Sequence, residues 1–259
     1  VVLRRNGLAL FPKVRLTIAE VKSYIREFYA YSAPLVIAAF LGSFGGILDR
    51  WFLQQFAGSV EQGFYGLSYQ IGAICSLIPG AMGSLFWRDF SQAFHKGDLQ
   101  KMQMMFGRYV PLLYAVVAFI SVFVAVQADK ISLLMGGTQY KGAIPAISIM
   151  ALYPIHQTYG QINTAVFFSS GKTRLFRNLN IVTMLLGLLL SYWLLAPFTY
   201  LGLDLGATGL ALKMVLTQIF GVVLELWFVT RFLQLSFWKF LIHQLYSVVL
   251  MAGMAWSIL

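Results

Sequence analysis

The chain has 259 residues, 59% of them hydrophobic and only 11% charged, and a formal net charge of +10. A soluble domain carries about 25% charged residues, so the composition argues against a water-soluble globule. A single cysteine, Cys75, excludes an intrachain disulfide framework and a cysteine-based metal site.

Seven apolar stretches follow one another: 31–55, 63–87, 109–128, 143–169, 178–197, 206–230 and 239–259. Each holds about 20 or more residues, enough to cross a hydrocarbon core of roughly 30 Å at about 1.5 Å per residue. The expected fold is all-α, a polytopic transmembrane helix bundle of about seven spans. Fifteen of the 19 Lys and Arg residues fall in segment 1–30 and in alternate loops, while the remaining loops hold only Lys130 and Lys141. Cytoplasmic loops retain the Lys/Arg excess, which puts residues 1–30 in the cytoplasm and makes the last span run outward. The positive charge then needs no nucleic-acid partner, and it gives some affinity for anionic lipid headgroups. No cleavable signal peptide is visible. The start without Met and the end in an apolar run at Leu259 read as part of a longer protein lacking an N-terminal portion.

In chain order, segment 1–30 is basic through Arg4, Arg5, Lys13, Arg15, Lys22 and Arg26. The first span opens with Pro34, placed in the first turn, where its missing amide costs nothing. Gly42, Gly45 and Gly46 give a small-residue face suited to close helix packing, or to bending during a conformational cycle. Asp49 and Arg50 sit near the outer end, and charges at that depth face a bundle interior or a wet cavity unless they snorkel to the interface. Guanidinium suits phosphate, because its planar fork donates two hydrogen bonds and stays charged.

The second span carries Pro79-Gly80, which predicts a kink. Residues 88–108 read as a cytoplasmic helix–turn–helix connector with a solvated His95, and 128–142 as an external interfacial turn ended by Gly136-Gly137. The fourth span is the most polar. Its centre, YPIHQTYGQINTAVFF, brings His156, Gln157, Thr158, Gln161, Asn163 and Thr164 to mid-membrane. Residues 157, 161 and 164 share a face by their spacing, with Thr158 beside it. The expectation is that part of this helix lines a hydrated path, against the plainer reading of polar side chains gluing helices together. His156 is either a proton carrier or a histidine hydrogen-bonded between helices. The fifth span looks apolar throughout, a scaffold or lipid-facing helix. The sixth holds Lys213 and Glu225, 12 residues or about 18 Å apart. With the orientation fixed, Lys213 lies at the depth of Asp49 and Arg50, within reach of an Asp–Lys contact or a shared cavity.

The chain resembles the Wzx-type polysaccharide flippases of the multidrug/oligosaccharidyl-lipid/polysaccharide exporter superfamily. The resemblance rests on Tyr31-Ser32-Ala33-Pro34 opening a span and Asp49-Arg50 near its end. It continues in GSVEQGFYGLSYQIGAI (58–74), LMGGTQYKGAIPAISIMAL (134–152) and SSGKTRLFRN (169–178). That family is built from two six-helix bundles facing a central cavity. The resemblance implies that 1–30 is an interlobe linker, 31–230 the C-terminal bundle, and 231–259 the start of an added helix. It implies movement of undecaprenyl-diphosphate-linked saccharide to the outer leaflet of a bacterial cytoplasmic membrane by alternating access. Arg50 and Lys213 would hold the diphosphate, with Gln157, Gln161 and Asn163 along the path. Asp49, Glu225 or His156 would couple ions. No cofactor or metal is implied; membrane lipids and other polysaccharide-assembly proteins are the expected partners.

Two other readings remain open from the residues. A drug or cation exporter of the same superfamily would favour excess cavity acid, whereas the charges at membrane depth balance. A membrane enzyme of polysaccharide assembly needs paired acids or a metal site, and the loops hold only scattered single carboxylates. Gly171-Lys172-Thr173 lacks the upstream glycine of a phosphate loop. A structural assembly subunit would leave the polar fourth span without a purpose.

Overall fold

A computed structural model describes residues 17–258, with side chains to Met254. Arg4, Arg5, Lys13 and Arg15 of the expected linker lie outside the described residues. Among those described, every regular element is helical. In order they are α1 (Ile18–Cys75), α2 (Leu77–His95), α3 (Leu99–Val126), α4 (Ala128–Gly136), a 3₁₀ turn (Thr138–Ala143), α5 (Ile144–Met150), α6 (Tyr153–Ser169), α7 (Thr173–Leu195), a second 3₁₀ turn (Phe198–Tyr200), α8 (Gly206–Phe232) and α9 (Phe237–Ile258).

Four of these, α1, α3, α7 and α8, are long and apolar enough to cross a membrane. The expectation was seven, and the shortfall has local causes. The second expected span is divided at Ser76, between α1 and α2, because Pro79 has no amide to offer the carbonyl of Cys75. The fourth is divided at Ala151-Leu152, with Pro154 in the first turn of α6, which leaves α6 with 17 residues. In α9, whose side chains are described only to Met254, Lys239, His243 and Gln244 dilute the apolar run over the described residues.

α1 departs most from expectation. It starts at Thr17, whose side chain and the Glu20 carboxylate cap each other's backbone amides. Residues 18–30 are thus one helix with the first expected span, and Pro34 lies inside that helix rather than in its first turn. The expected outer loop at 56–62 is instead a single corner. Gly58 takes φ 83° and ψ −174°, a conformation open to glycine because it has no Cβ. The arm before this corner is about 60 Å long, twice a hydrocarbon core. The connector behaves as expected, with α2 ending at His95 and Asp98 capping α3 through the amide of Lys101 at 2.8 Å. α4 ends at Gly137, φ 73°.

An aromatic core joins α2, α3, α6 and α9 through Phe86, Phe90, Phe106, Tyr114, Tyr159 and Phe240. On the other side, α1, α7 and α8 pack together, and α6 closes on α8. The start of α8 is fixed from across the bundle: Ala207 N–H donates to Glu61 Oε2 at 2.7 Å. A carboxylate there meets unpaired amides and the positive end of the helix dipole. Gly206 has φ 52°, and a Cβ on it would come within 2.5 Å of Glu61 Oε2. Replacing Glu61 by Ala is expected to cost about 1 kcal/mol of stability, read as a lowered unfolding temperature in detergent, with Glu61→Gln losing less.

Candidate functional site

The arms of α1 and helices α6, α7 and α8 enclose two adjoining cavities, of about 440 Å³ and 360 Å³. Asn180, Thr183 and Thr217 line both, so the two form one groove. α8 contributes Lys213, Thr217, Gly221 and Glu225, a stripe at four-residue spacing that stays on one helix face. α7 contributes Asn180, Thr183 and Gly187 in the same manner, and its Ser191 continues the stripe. The fifth span, expected to be an apolar lipid-facing or scaffold helix, is therefore not apolar throughout, although Val182, Leu185 and Leu189 on its other face are exposed. A hydropathy average hides one polar stripe on an otherwise apolar helix. The spacing 180, 183, 187, 191 was the sequence signal that could have found it.

The larger cavity holds the charges. Asp49 and Lys213 are both buried, and Lys213 Nζ donates to Asp49 Oδ2 at 2.5 Å. Ser191 Oγ donates to Asp49 Oδ1, also at 2.5 Å. One carboxylate thus ties α1, α7 and α8 together, as the common depth of Asp49 and Lys213 anticipates. Each charge has its partner, which is the condition for keeping either away from water. The Lys213 ammonium is consequently not a free cation.

Arg50 differs. It is exposed to the groove and has no ion pair among the described residues. Its guanidinium lies 5.9 Å from the ring centroid of Tyr65 and 5.7 Å from that of Tyr69. Two π faces steady the cation without neutralising it.

The smaller cavity is lined by amides and hydroxyls: Gln157, Gln161 and Thr164 from α6, Asn180 and Thr183 from α7, Thr217 and Gln218 from α8. Gln218 Nε2 donates to Gln157 Oε1 at 2.5 Å. Glu225 closes its far end, with Tyr153 and Phe176 as aromatic walls. The shared face of 157, 161 and 164 is as expected. The remaining polar residues of the fourth span turn elsewhere. Thr158 is buried and donates to Pro154 O at 3.1 Å. Asn163 is fully buried behind the lining rather than on it, and His156 faces the Tyr114 ring at 5.9 Å on the α3 side. Asn163 is two residues from Gln161, a rotation of about 200° around the helix, which carries it to the opposite face.

The glycines also divide differently from expectation. A Cβ on Gly42 or Gly46 would meet nothing within 4 Å, and both line the larger cavity. Beside the groove, close approaches occur at Gly160 against Gln218 (3.1 Å), Gly187 against Lys213 (3.2 Å) and Gly221 against Thr183 (3.1 Å). These three let α6, α7 and α8 meet behind the groove. Gly46→Ala is expected to raise stability by about 0.5–1 kcal/mol through helix propensity, whereas Gly187→Ala lowers it by pressing on Lys213. Parallel unfolding measurements on the two variants check the contrast.

No group of three or more His, Cys, Asp or Glu side chains that could hold a metal occurs among the described residues. Comparison with family models, with curated proteins and with solved structures gave no match.

Proposed function

We propose that this chain is the C-terminal lobe of a two-bundle transporter that moves a lipid-linked saccharide diphosphate across a bacterial cytoplasmic membrane by alternating access. In this reading residues 31–230 form the six-helix bundle, 231–259 begin an added helix, and residues 1–30 lie on the cytoplasmic side. Seven crossings result, two of them made by the broken pairs 59–75 with α2, and α5 with α6. Discontinuous helices of this kind border substrate sites in transporters, where interrupted backbone is tolerated beside a cavity.

The observation that carries the reading is Arg50: a cation without a carboxylate partner among the described residues, flanked by Tyr65 and Tyr69, in a groove whose second cavity is lined mainly by amides and hydroxyls. A planar fork beside two aromatic faces suits a diphosphate. Amides, hydroxyls and aromatic faces suit a sugar, whose hydroxyls need both donors and acceptors. Lys213 is not assigned to the substrate, because Asp49 already holds it. Gln157, Gln161 and Thr164 are assigned instead, and Asn163 is set aside as buried. A headgroup of this kind cannot enter hydrocarbon without such a path. Other polysaccharide-assembly proteins would act before and after it.

The test is deletion of the reading frame in its own host. The expected result is loss of surface polysaccharide, with lipid-linked saccharide accumulating on the cytoplasmic leaflet. Unchanged polysaccharide together with heightened sensitivity to organic cations would support the drug-exporter reading instead.

A further inference from the structure

Once Asp49 is tied to Lys213, Glu225 is the one carboxylate that lines the groove without a basic partner among the described residues. Asn163 adjoins it from α6. Asn163 is wholly buried, yet neither its Nδ2 nor its Oδ1 has a hydrogen-bond partner. A buried amide without partners costs free energy, and so does a carboxylate away from water. Placed side by side, each can answer the other. An ionised carboxylate accepts from Nδ2–H, and a protonated carboxyl donates to Oδ1. A half-turn of the amide about its terminal torsion converts one arrangement into the other.

We propose that Glu225, backed by Asn163, is a proton-binding site at the end of the groove remote from Arg50. The proposal rests on the groove being a transport path, and it selects one proton site from three candidates. Asp49 is held by Lys213 and Ser191. His156 stands off the groove against Tyr114, toward Gln244 of α9. Glu225 alone is both open to the cavity and unpaired.

The groups facing Glu225 leave its proton uncontested. From α6 come Tyr153, Gln157, Gln161, Asn163 and Thr164, and from α7 Asn180 and Thr183. On α8 itself, Lys213 is paired with Asp49 and the Arg231 guanidinium lies 4.2 Å from the Trp227 centroid. α1 presents Asp49, Arg50, Tyr65 and Tyr69 to the other cavity. α5 has no titratable residue, and the titratable groups of α9 are Lys239, His243 and Tyr246. His243 faces the Tyr114 ring. A proton needs only the carboxyl and one acceptor.

Dicyclohexylcarbodiimide tests this on the purified chain. The reagent is apolar and adds to protonated carboxyls in membrane proteins. Labelling at Glu225, mapped by mass spectrometry, is expected at mildly acidic pH and lost as pH rises, equally in sodium and in potassium buffers. Glu225→Gln removes that label and leaves any others. Asn163→Leu moves the loss of labelling to higher pH, because the carboxylate loses its donor. Absence of pH-dependent labelling at Glu225 overturns the proposal, and so does suppression by sodium at fixed pH. The measurement needs no saccharide, so the proton site can stand even where the transport test fails.

Discussion

Replacing Lys213 by Ala is expected to destabilise the protein by about 3–5 kcal/mol, the largest single effect in this chain. The substitution leaves the Asp49 carboxylate buried with only the Ser191 hydroxyl for company. A hydroxyl donates one hydrogen bond and no charge, so most of the desolvation of the carboxylate goes uncompensated. Asp49→Asn has a comparable effect from the other side, stranding the ammonium. The double variant Asp49→Asn with Lys213→Met removes both charges and keeps much of the volume. It is expected to recover most of the loss, because a buried pair replaced by packed neutral groups is often neutral or better. Equilibrium unfolding of the parent, Lys213→Met, Asp49→Asn and the double variant in mixed micelles closes the cycle. Added salt is expected to change the coupling little, since both groups are shielded from water. Single variants within about 0.5 kcal/mol of the parent would contradict the reading of this pair as the tie among α1, α7 and α8.

How much of this was legible beforehand depends on what kind of signal each feature leaves. Asp49 and Lys213 were legible as partners, because the orientation expected from the loop charges puts them at a common depth. Ser191 was not, because a single hydroxyl in an apolar helix does not move a hydropathy average. The Gly-x-x-x-Gly pattern at 42 and 46 records spacing, and spacing does not say whether a neighbouring helix is present. Here Gly42 and Gly46 face open space and Gly45 meets Met184 only at 3.8 Å, while closer contacts are made by glycines outside this pattern, among them Gly160, Gly187 and Gly221. The polar run 156–164 was legible as unusual in composition. Its division between groove and core follows from the 100° step of a helix, which places 157, 161 and 164 on the cavity wall and turns 156, 158 and 163 away. The corner at Gly58 replaced an expected loop because one glycine at positive φ can kink the chain without spending residues on a turn. Pro79 foretold the break at Ser76, whereas the break before α6, with Pro154 in the first turn, was not expected. Neither proline could foretell that these breaks leave fewer long apolar helices than apolar stretches.

Replacing Arg50 by Ala is expected to stop transport while leaving the protein folded, the reverse of the Lys213 result. Arg50 is exposed to the groove, makes no ion pair among the described residues, and its guanidinium lies over the faces of Tyr65 and Tyr69. Its removal strands no buried partner, so stability should change by no more than about 0.5 kcal/mol. Two charge-assisted hydrogen bonds to a diphosphate are together worth about 3 kcal/mol or more, which corresponds to roughly a hundredfold in affinity. Arg50→Lys keeps the charge and loses the fork, and should retain part of the activity. The readouts are surface polysaccharide per cell, the amount of the protein in membranes, and its unfolding temperature, compared across parent, Arg50→Lys and Arg50→Ala. Normal polysaccharide in Arg50→Ala would remove this residue from substrate binding. Loss of protein along with activity would assign it a structural role. The proposed assignment needs the third pattern, graded loss of export at constant protein, because it is the one in which an unpaired cation acts on something the fold itself does not contain.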